Sequence, residues 1–395
     1  MTGDLFQKCY NFKDADMVKD MGIYPYFTPI ESAQETEVYI EGKKVLMLGS
    51  NSYMGLTFDE RVKEAAIEAV KKYGVGCAGS RFLNGTLDLH LELEEILAKF
   101  LRKPEALLYS TGYQTNLGVI TGLTNKDDYI LADKMDHASI IDACKLSFAS
   151  TVRFNHNDAA DLDRKMGNLP KEAGKLIVVD GVFSMEGDIA PLDKLIPVKK
   201  KHNARILVDD AHSVGVLGDT GRGTAEHFHL EEETDLIMNT FSKTFATIGG
   251  YIAGEKAAIN YLKHHSRALM FSASLPPAAL GAVKKGLEIL QEETWRRTRL
   301  WEITKMMREG FQAMGFSTGE SVTPIIPLRI GDMFTTFKMR KMLLDAGVFV
   351  NPVVPPAVAP TDCLVRTSFM ATHTDSQMQF ALDTFKSIGK ELKVI

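Results

Sequence analysis

Lys243 closes the tetrapeptide Thr240-Phe-Ser-Lys243, and upstream of it an apolar run, Ile206-Leu-Val, ends in Asp209-Asp-Ala-His212. A lysine amine can form a Schiff base with a carbonyl cofactor, and a carboxylate at the end of a buried strand can keep a ring nitrogen protonated. Pyridoxal 5'-phosphate (PLP) needs both groups, because its capacity as an electron sink depends on a pyridinium. The hydroxyls of Thr240 and Ser242 could hold its phosphate. Each piece has a plainer reading alone. A Ser-Lys pair is ordinarily a surface feature, an Asp after a strand commonly caps a helix, and His212 could be a satisfied core residue. The order outweighs these: strand, Asp-x-x-His, a second apolar strand at Asp235-Leu-Ile-Met238, Thr-x-Ser-Lys, then Gly249-Gly250.

Those residues need a scaffold. Short apolar runs suit strands at Val45–Leu48, Ala106–Tyr109, Tyr129–Leu131, Lys175–Val179, Arg205–Val208, Leu236–Met238 and Gly250–Ala253. Helix-patterned segments alternate with them; Val62, Ala66, Ile67, Val70 and Tyr73 form one such face. The alternation predicts an α/β fold with a mostly parallel central sheet and helices on both faces. A charged helical stretch, Lys284 to Phe311, precedes Pro324-Ile-Ile-Pro-Leu, Gly347-Val-Phe-Val and Leu364-Val-Arg-Thr-Ser, which read as a smaller C-terminal α+β domain. The expected division is an N-terminal segment 1–50, a large domain 51–289 and a small domain 290–395.

Ligands of open α/β sheets bind beyond the carboxyl ends of the strands. Five strand ends carry polar residues there: Ser110-Thr-Gly112-Tyr113, His137, Ser184, Asp209 with His212, and Thr240 to Lys243. Gly112 and Tyr113 open a helix-like run, and free N–H groups at such a turn suit an anion.

The bulk numbers exclude several classes. The 395 residues, 45% hydrophobic, suit two or three domains with a sizeable core. A net charge of −5 shows no basic excess for nucleic acid. Cys9, Cys77, Cys144 and Cys363 lack metal-ligand spacing; buried free thiols in a reducing compartment, and no metal, are expected. The N-terminus, Met-Thr-Gly-Asp-Leu-Phe-Gln-Lys, is polar, and no apolar run approaches the ~20 residues that span a bilayer. A cytoplasmic protein is expected, with peripheral membrane contact still open to it. Gly74-Val-Gly76-Cys-Ala-Gly79 matches the dinucleotide pattern G-x-G-x-x-G, and Glu94 lies downstream. That pattern must follow a strand, whereas Glu60 to Tyr73 reads as a helix, so dinucleotide chemistry is rejected.

Further blocks carry a family resemblance: Gly49-Ser-Asn51-Ser-Tyr53-Met-Gly55-Leu, Gly76 to Thr86, Asp136-His137-Ala-Ser-Ile, Phe183-Ser184-Met-Glu-Gly187-Asp, Met270-Phe-Ser272-Ala-Ser-Leu-Pro-Pro277 and Val350 to Pro356. From about residue 20 to 390 the chain resembles the α-oxoamine synthases, a branch of the fold-type I PLP enzymes, and is most similar to its bacterial serine palmitoyltransferases. The resemblance implies these roles. Lys243 carries the cofactor and is the base at the substrate Cα. Asp209 pairs with the pyridinium, and His137 stacks on the ring. His212, Ser184 and Thr240 approach the ring hydroxyl. Gly112, Tyr113 and Ser242 bind phosphate. Ser272 reaches the cofactor of a dimer partner, and Arg366, with Asn51 near it, grips the substrate carboxylate. One departure stands out: the loop Pro355-Pro-Ala-Val-Ala-Pro-Thr-Asp362 lacks the second arginine that some members carry there.

The implied reaction is decarboxylative condensation of L-serine with a long-chain acyl thioester, palmitoyl-CoA, to 3-ketodihydrosphingosine. Met270, Phe271, Leu275, Val353 and Val354 are the candidate apolar channel, against a plainer reading as core. A sister synthase acting on glycine, alanine or cysteate shares the chemistry. A silent regulatory homologue is disfavoured by the retained Lys243.

Overall fold

The computed structural model describes residues 3–395, so Met1 and Thr2 of the polar N-terminus lie outside the described residues. Two antiparallel strands, β1 (Glu37–Ile40) and β2 (Lys43–Met47), open the regular structure. The central sheet is built from β3 (Glu105–Tyr109), β4 (Tyr129–Asp133), β5 (Ser150–Phe154), β6 (Lys175–Asp180), β7 (Arg205–Asp209), β8 (Leu236–Thr240) and β9 (Gly250–Gly254). The C-terminal region adds β10 (Ile325–Gly331), β11 (Val348–Phe349), β12 (Asn351–Val353) and β13 (Cys363–Ser368).

The central strands lie in the order β3-β9-β8-β7-β6-β4-β5, all parallel except β9. Residues of β6, β8 and β9 are buried throughout, as expected of strands covered on both faces. The predicted class, an α/β fold with helices on both faces, is the one observed. The polar edge strand β5 escaped the reading because four of its five residues, Ser150 to Arg153, are not buried, and only Phe154 is. A second sheet, β10-β13-β12, is antiparallel. A third joins β1 and β2 to β11, so residues 37–47 pack with the C-terminal region.

Three local expectations change. The stretch Lys284 to Phe311 is two helices, Pro277–Glu292 and Trp295–Met314, because the chain turns at Glu293 and Thr294. Arg61 and Arg296 anchor that turn through Glu293 at 2.6 and 2.7 Å. On the helix Glu60–Tyr73 the predicted face holds at Val62, which is buried, and at Ala66 and Tyr73, which pack on the core, but fails at Ile67, which is 51% exposed. Ala69 instead sits against Gly281 of Pro277–Glu292, where any Cβ would collide with the Ala65 carbonyl. Among the cysteines, Cys144 and Cys363 are buried, but Cys9 is exposed and Cys77 half-buried, Cys9 because its helix, Gln7–Tyr10, buries no residue.

The rejected dinucleotide pattern does follow a helix, which ends at Gly74. Glu94 there pairs with Arg81 at 2.8 Å and accepts the Leu108 N–H at 2.9 Å, a structural use of the carboxylate. Among the described residues, no helix is long and apolar enough to cross a membrane.

Candidate active site

Every parallel strand that carries a candidate residue ends at the same edge of the sheet. Beyond β3, Thr111 caps the helix Gly112–Leu123, its side chain accepting the Gln114 N–H. The first N–H groups of that helix, those of Gly112 and Tyr113, have no partner within it. Gly112 must be glycine, since a Cβ would lie 2.7 Å from the Thr240 side chain. Beyond β4, His137 caps the helix Ala138–Leu146 through Nδ1, which accepts the Ser139 N–H at 3.2 Å. His137 thus caps a helix and lines the cavity described below at the same time. Beyond β6, β7 and β8 come Ser184, Asp209 with His212, and Ser242 with Lys243.

These ends enclose a cavity of about 360 Å³. Gly112, Tyr113, His137, Ser184, Asp209, His212, Thr240, Ser242 and Lys243, all expected from sequence, line it. Three expected residues stand off its wall. Arg366 on β13 is buried and donates from Nε to the Ser184 carbonyl at 2.6 Å and from Nη2 to Asn51 Oδ1 at 3.0 Å. Asn51 and Arg366 thus adjoin the cavity through Ser184. Ser272 does not line it; its hydroxyl accepts from Gln114 Nε2 at 3.0 Å.

One side chain behaves differently from its expected use. The Thr240 hydroxyl is spent inside the protein, donating to the Gly249 carbonyl at 3.0 Å and accepting the Ser242 N–H at 3.3 Å. Ser242 is the exposed hydroxyl of the pair. The Tyr113 ring turns outward to hydrogen-bond Asp142, so its backbone is what faces the cavity. The apolar channel also shrinks: Leu275, Val353 and Val354 are buried core, whereas Phe271 is 71% exposed.

The electrostatics suit amine chemistry. Burial pulls the Lys243 amine from 10.5 to about 8; Asp209 and Asp180 oppose the fall, and Arg366 adds to it. A substantial neutral fraction near neutral pH is what a carbonyl-reactive lysine needs. His212 is held well below its ordinary value by burial and by Lys243, Arg366 and His137, so it is neutral. Its Nδ1 lies 2.7 Å from the buried Tyr53 hydroxyl, whose own value burial pushes up to about 12. With Nδ1 accepting from Tyr53, Nε2 carries the ring proton. His137 is also lowered, by burial and then by Lys243, against the pull of Asp209.

Several functional neighbours had no signal in the sequence reading. Asn116 Nδ2 donates to Asp209 Oδ2 at 2.6 Å and to Ser139 Oγ at 2.9 Å. Asp180 lines the cavity and accepts the His137 N–H at 3.0 Å. Behind it, Asp136 accepts the N–H groups of Asp180 and Asp133 at 3.0 and 2.9 Å. Asp133 and Asp188 then flank His156, with oxygens 3.0 and 2.7 Å from its two ring nitrogens. This chain ties the loop carrying Ser184 to the end of β4. A local motif search could have flagged Asp180 as another strand-end carboxylate, but nothing in the spacing points to Asn116 or Tyr53.

The residues fit PLP. One amine lowered to about 8, a buried carboxylate and unpaired helix N–H groups beside the exposed Ser242 hydroxyl share one cavity wall. Lys243 would carry the cofactor, Asp209 would face its ring nitrogen, and Gly112, Tyr113 and Ser242 its phosphate. Bound there, PLP supplies an electron sink for a carbanion at an amino acid's Cα.

A family profile described as aminotransferase class I and II matches residues 43–385. The chain is 49% identical over 392 residues to a serine palmitoyltransferase of Sphingobacterium spiritivorum, covering 99% of this chain and 98% of that protein. It is 43% identical over 383 residues to an 8-amino-7-oxononanoate synthase of Thermosipho melanesiensis, covering 97% and 98%. Its fold superposes with a TM-score of 0.96 on a high-resolution structure of SPT with the PLP internal aldimine, at 39% identity, covering 99% of this chain and 100% of that one. The chain therefore belongs to the aminotransferase class I and II family and, within it, to the α-oxoamine synthases, as a PLP-dependent acyltransferase.

Proposed function

We propose that the chain condenses L-serine with a long-chain acyl thioester, palmitoyl-CoA, releasing coenzyme A and carbon dioxide and forming 3-ketodihydrosphingosine. One observation carries the amino-acid half. Arg366 is buried, binds only neutral oxygens of Asn51 and Ser184, and forms no ion pair among the described residues. A guanidinium held rigidly beside a PLP-type cavity without a counter-charge suits an incoming carboxylate. The choice of serine and of a long acyl group is supported by the relatives named serine palmitoyltransferase.

In this reading Lys243 takes and returns the Cα proton. Asp209 keeps the cofactor ring nitrogen charged. His137, on the cavity wall, would pack against the cofactor and hold the substrate carboxylate in place for proton removal at Cα. Neutral His212 and Ser184 would donate hydrogen bonds to the cofactor. A homodimer with a shared site belongs to the proposal. Val75, Leu83 and Phe271 are 85, 77 and 71% exposed on the loops around Ser272, a surface suited to a second copy. A cytoplasmic location, peripheral contact with membrane lipid, and the division into 1–50, 51–289 and 290–395 complete it.

The sister activity stays in view because an 8-amino-7-oxononanoate synthase is 43% identical. Product analysis with serine, glycine, alanine and cysteate against acetyl to palmitoyl thioesters separates the two. Efficiency should rise with acyl length, since each buried methylene contributes about 0.8 kcal/mol. Equal use of acetyl and palmitoyl donors, or preference for another amino acid over serine, would transfer the assignment to a sister synthase.

A further inference from the structure

Arg340, on the helix Met333–Asp345, is 2% exposed. Its guanidinium lies over the Phe349 ring, 5.4 Å from the centroid. Nη2 donates to Thr28 Oγ1 at 2.7 Å, while Nε is buried without an acceptor. Among the described residues Arg340 forms no ion pair. Burial draws it below its ordinary value, and the more distant Asp345 and Glu41 only oppose that fall. A buried guanidinium left without a counter-charge is expensive, and its removal is normally tolerated better than its retention.

The same residue lines a cavity of about 260 Å³ between the N-terminal segment, the β1–β2 turn and its own helix. Lys19, Lys43 and Lys341 share the wall with Arg340, against two carboxylates, Glu41 and Asp345. Lys19 is paired with Asp16 at 3.8 Å, so Arg340 and Lys43 face Glu41 alone and one positive charge is left unneutralised. Asp345 is already engaged by Lys341 at 2.6 Å, and Lys43 has no ion pair among the described residues. This cavity has no residue in common with the cofactor cavity.

We propose that this cavity is an anion site for a phosphate group, with Arg340 as its buried anchor and Lys43 at its rim. A buried guanidinium with an unpaired Nε and the unpaired amine of Lys43, from two separate elements, line one cavity. That arrangement matches a compact anion with several acceptor oxygens better than a single carboxylate. The phosphate arrives either free or on a larger molecule such as a nucleotide.

The test uses the full chain loaded with PLP, so that the cofactor's own phosphate cradle is filled. Inorganic phosphate is titrated by calorimetry and by thermal midpoint against chloride at matched ionic strength. Saturable binding and a raised midpoint are expected. Arg340→Met should weaken binding by about tenfold or more, as loss of a charged hydrogen bond does, while its midpoint without phosphate stays at or above that of the parent. Lys43→Gln, at the exposed rim, should fold normally and bind less tightly, so the proposal stays testable if Arg340→Met does not fold. Adenosine 3',5'-bisphosphate binding more tightly than phosphate assigns the group to a nucleotide; equal or weaker binding assigns it to free phosphate. Acetate binding as well as phosphate, no effect of phosphate beyond ionic strength, or unchanged affinity in Lys43→Gln together with any folded Arg340→Met would overturn it.

Discussion

Asn116 and Asp209 meet 2.6 Å apart, amide nitrogen to carboxylate Oδ2, from a helix on the cavity wall to a strand end on its floor. The other oxygen of Asp209 accepts the Ala211 N–H at 3.0 Å. The Asn116 amide also reaches Ser139 Oγ on the helix that His137 caps. The orientation of the Asp209 carboxylate is thus set by three elements.

Asp209→Asn should retain some cofactor and lose most turnover. An amide cannot hold a ring nitrogen protonated, and electrostatic contributions of this kind are about 3 kcal/mol, or more than a hundredfold. Asn116→Ala should lower kcat less, by about tenfold, because it frees the carboxylate without removing its charge. Near-normal kcat in Asp209→Asn would refute the pairing.

Lys243→Ala should fold and bind PLP non-covalently. Borohydride reduction with peptide mapping then finds no label, whereas the parent is labelled at Lys243. With the amine held at about 8, the neutral form grows as pH rises through that value. The rate of cofactor attachment to the stripped chain should therefore climb between pH 6 and 8 and level off above. A climb that continues to pH 10 would mean an unperturbed lysine.

Arg366→Ala should raise KM for serine by about tenfold to a hundredfold, the usual cost of a lost charge-assisted contact, with PLP affinity little changed. Parallel loss of PLP affinity would show that Arg366 supports the cofactor cavity instead. Titration of absorbance with serine and with PLP reads the two separately.

His156 sits between Asp133 and Asp188; burial opposes its charge, but the two carboxylates push it from 6.5 up to about 10. Its folded value exceeds the unfolded one, so this stabilisation is complete below about pH 6.5 and fades as pH rises through about 10. His156→Gln should cost about 1–3 kcal/mol at pH 6 and markedly less at pH 10. Denaturant melts at both values check it, and a pH-independent difference would refute it.

An active monomer in sedimentation at assay concentration would contradict the proposed dimer. Ser272 lies outside the cavity of its own chain, so dimer-dependent cofactor retention is the sharper measurement.

The sequence by itself determined the strand ends and the chemistry they carry. Lys243, Asp209, His212 and Gly112 were legible because a buried strand is a short apolar run, and the polar residue that ends it is local information. Its reach stopped where that pattern stops. The edge strand Ser150–Phe154 is polar, so periodicity is silent there. On Glu60–Tyr73 the pattern put apolar Ile67 on the packed face, whereas the small Ala69, set against Gly281, is what packs there. Spacing could not join Arg366 to Asn51 across 315 positions, which only the family resemblance suggested, and only the tertiary structure joined Tyr53 to His212 across 159. Such pairs depend on how sheets and helices are stacked, and the burial that lowers Lys243 is likewise a property of everything packed around it. Spacing along the chain carries no record of either.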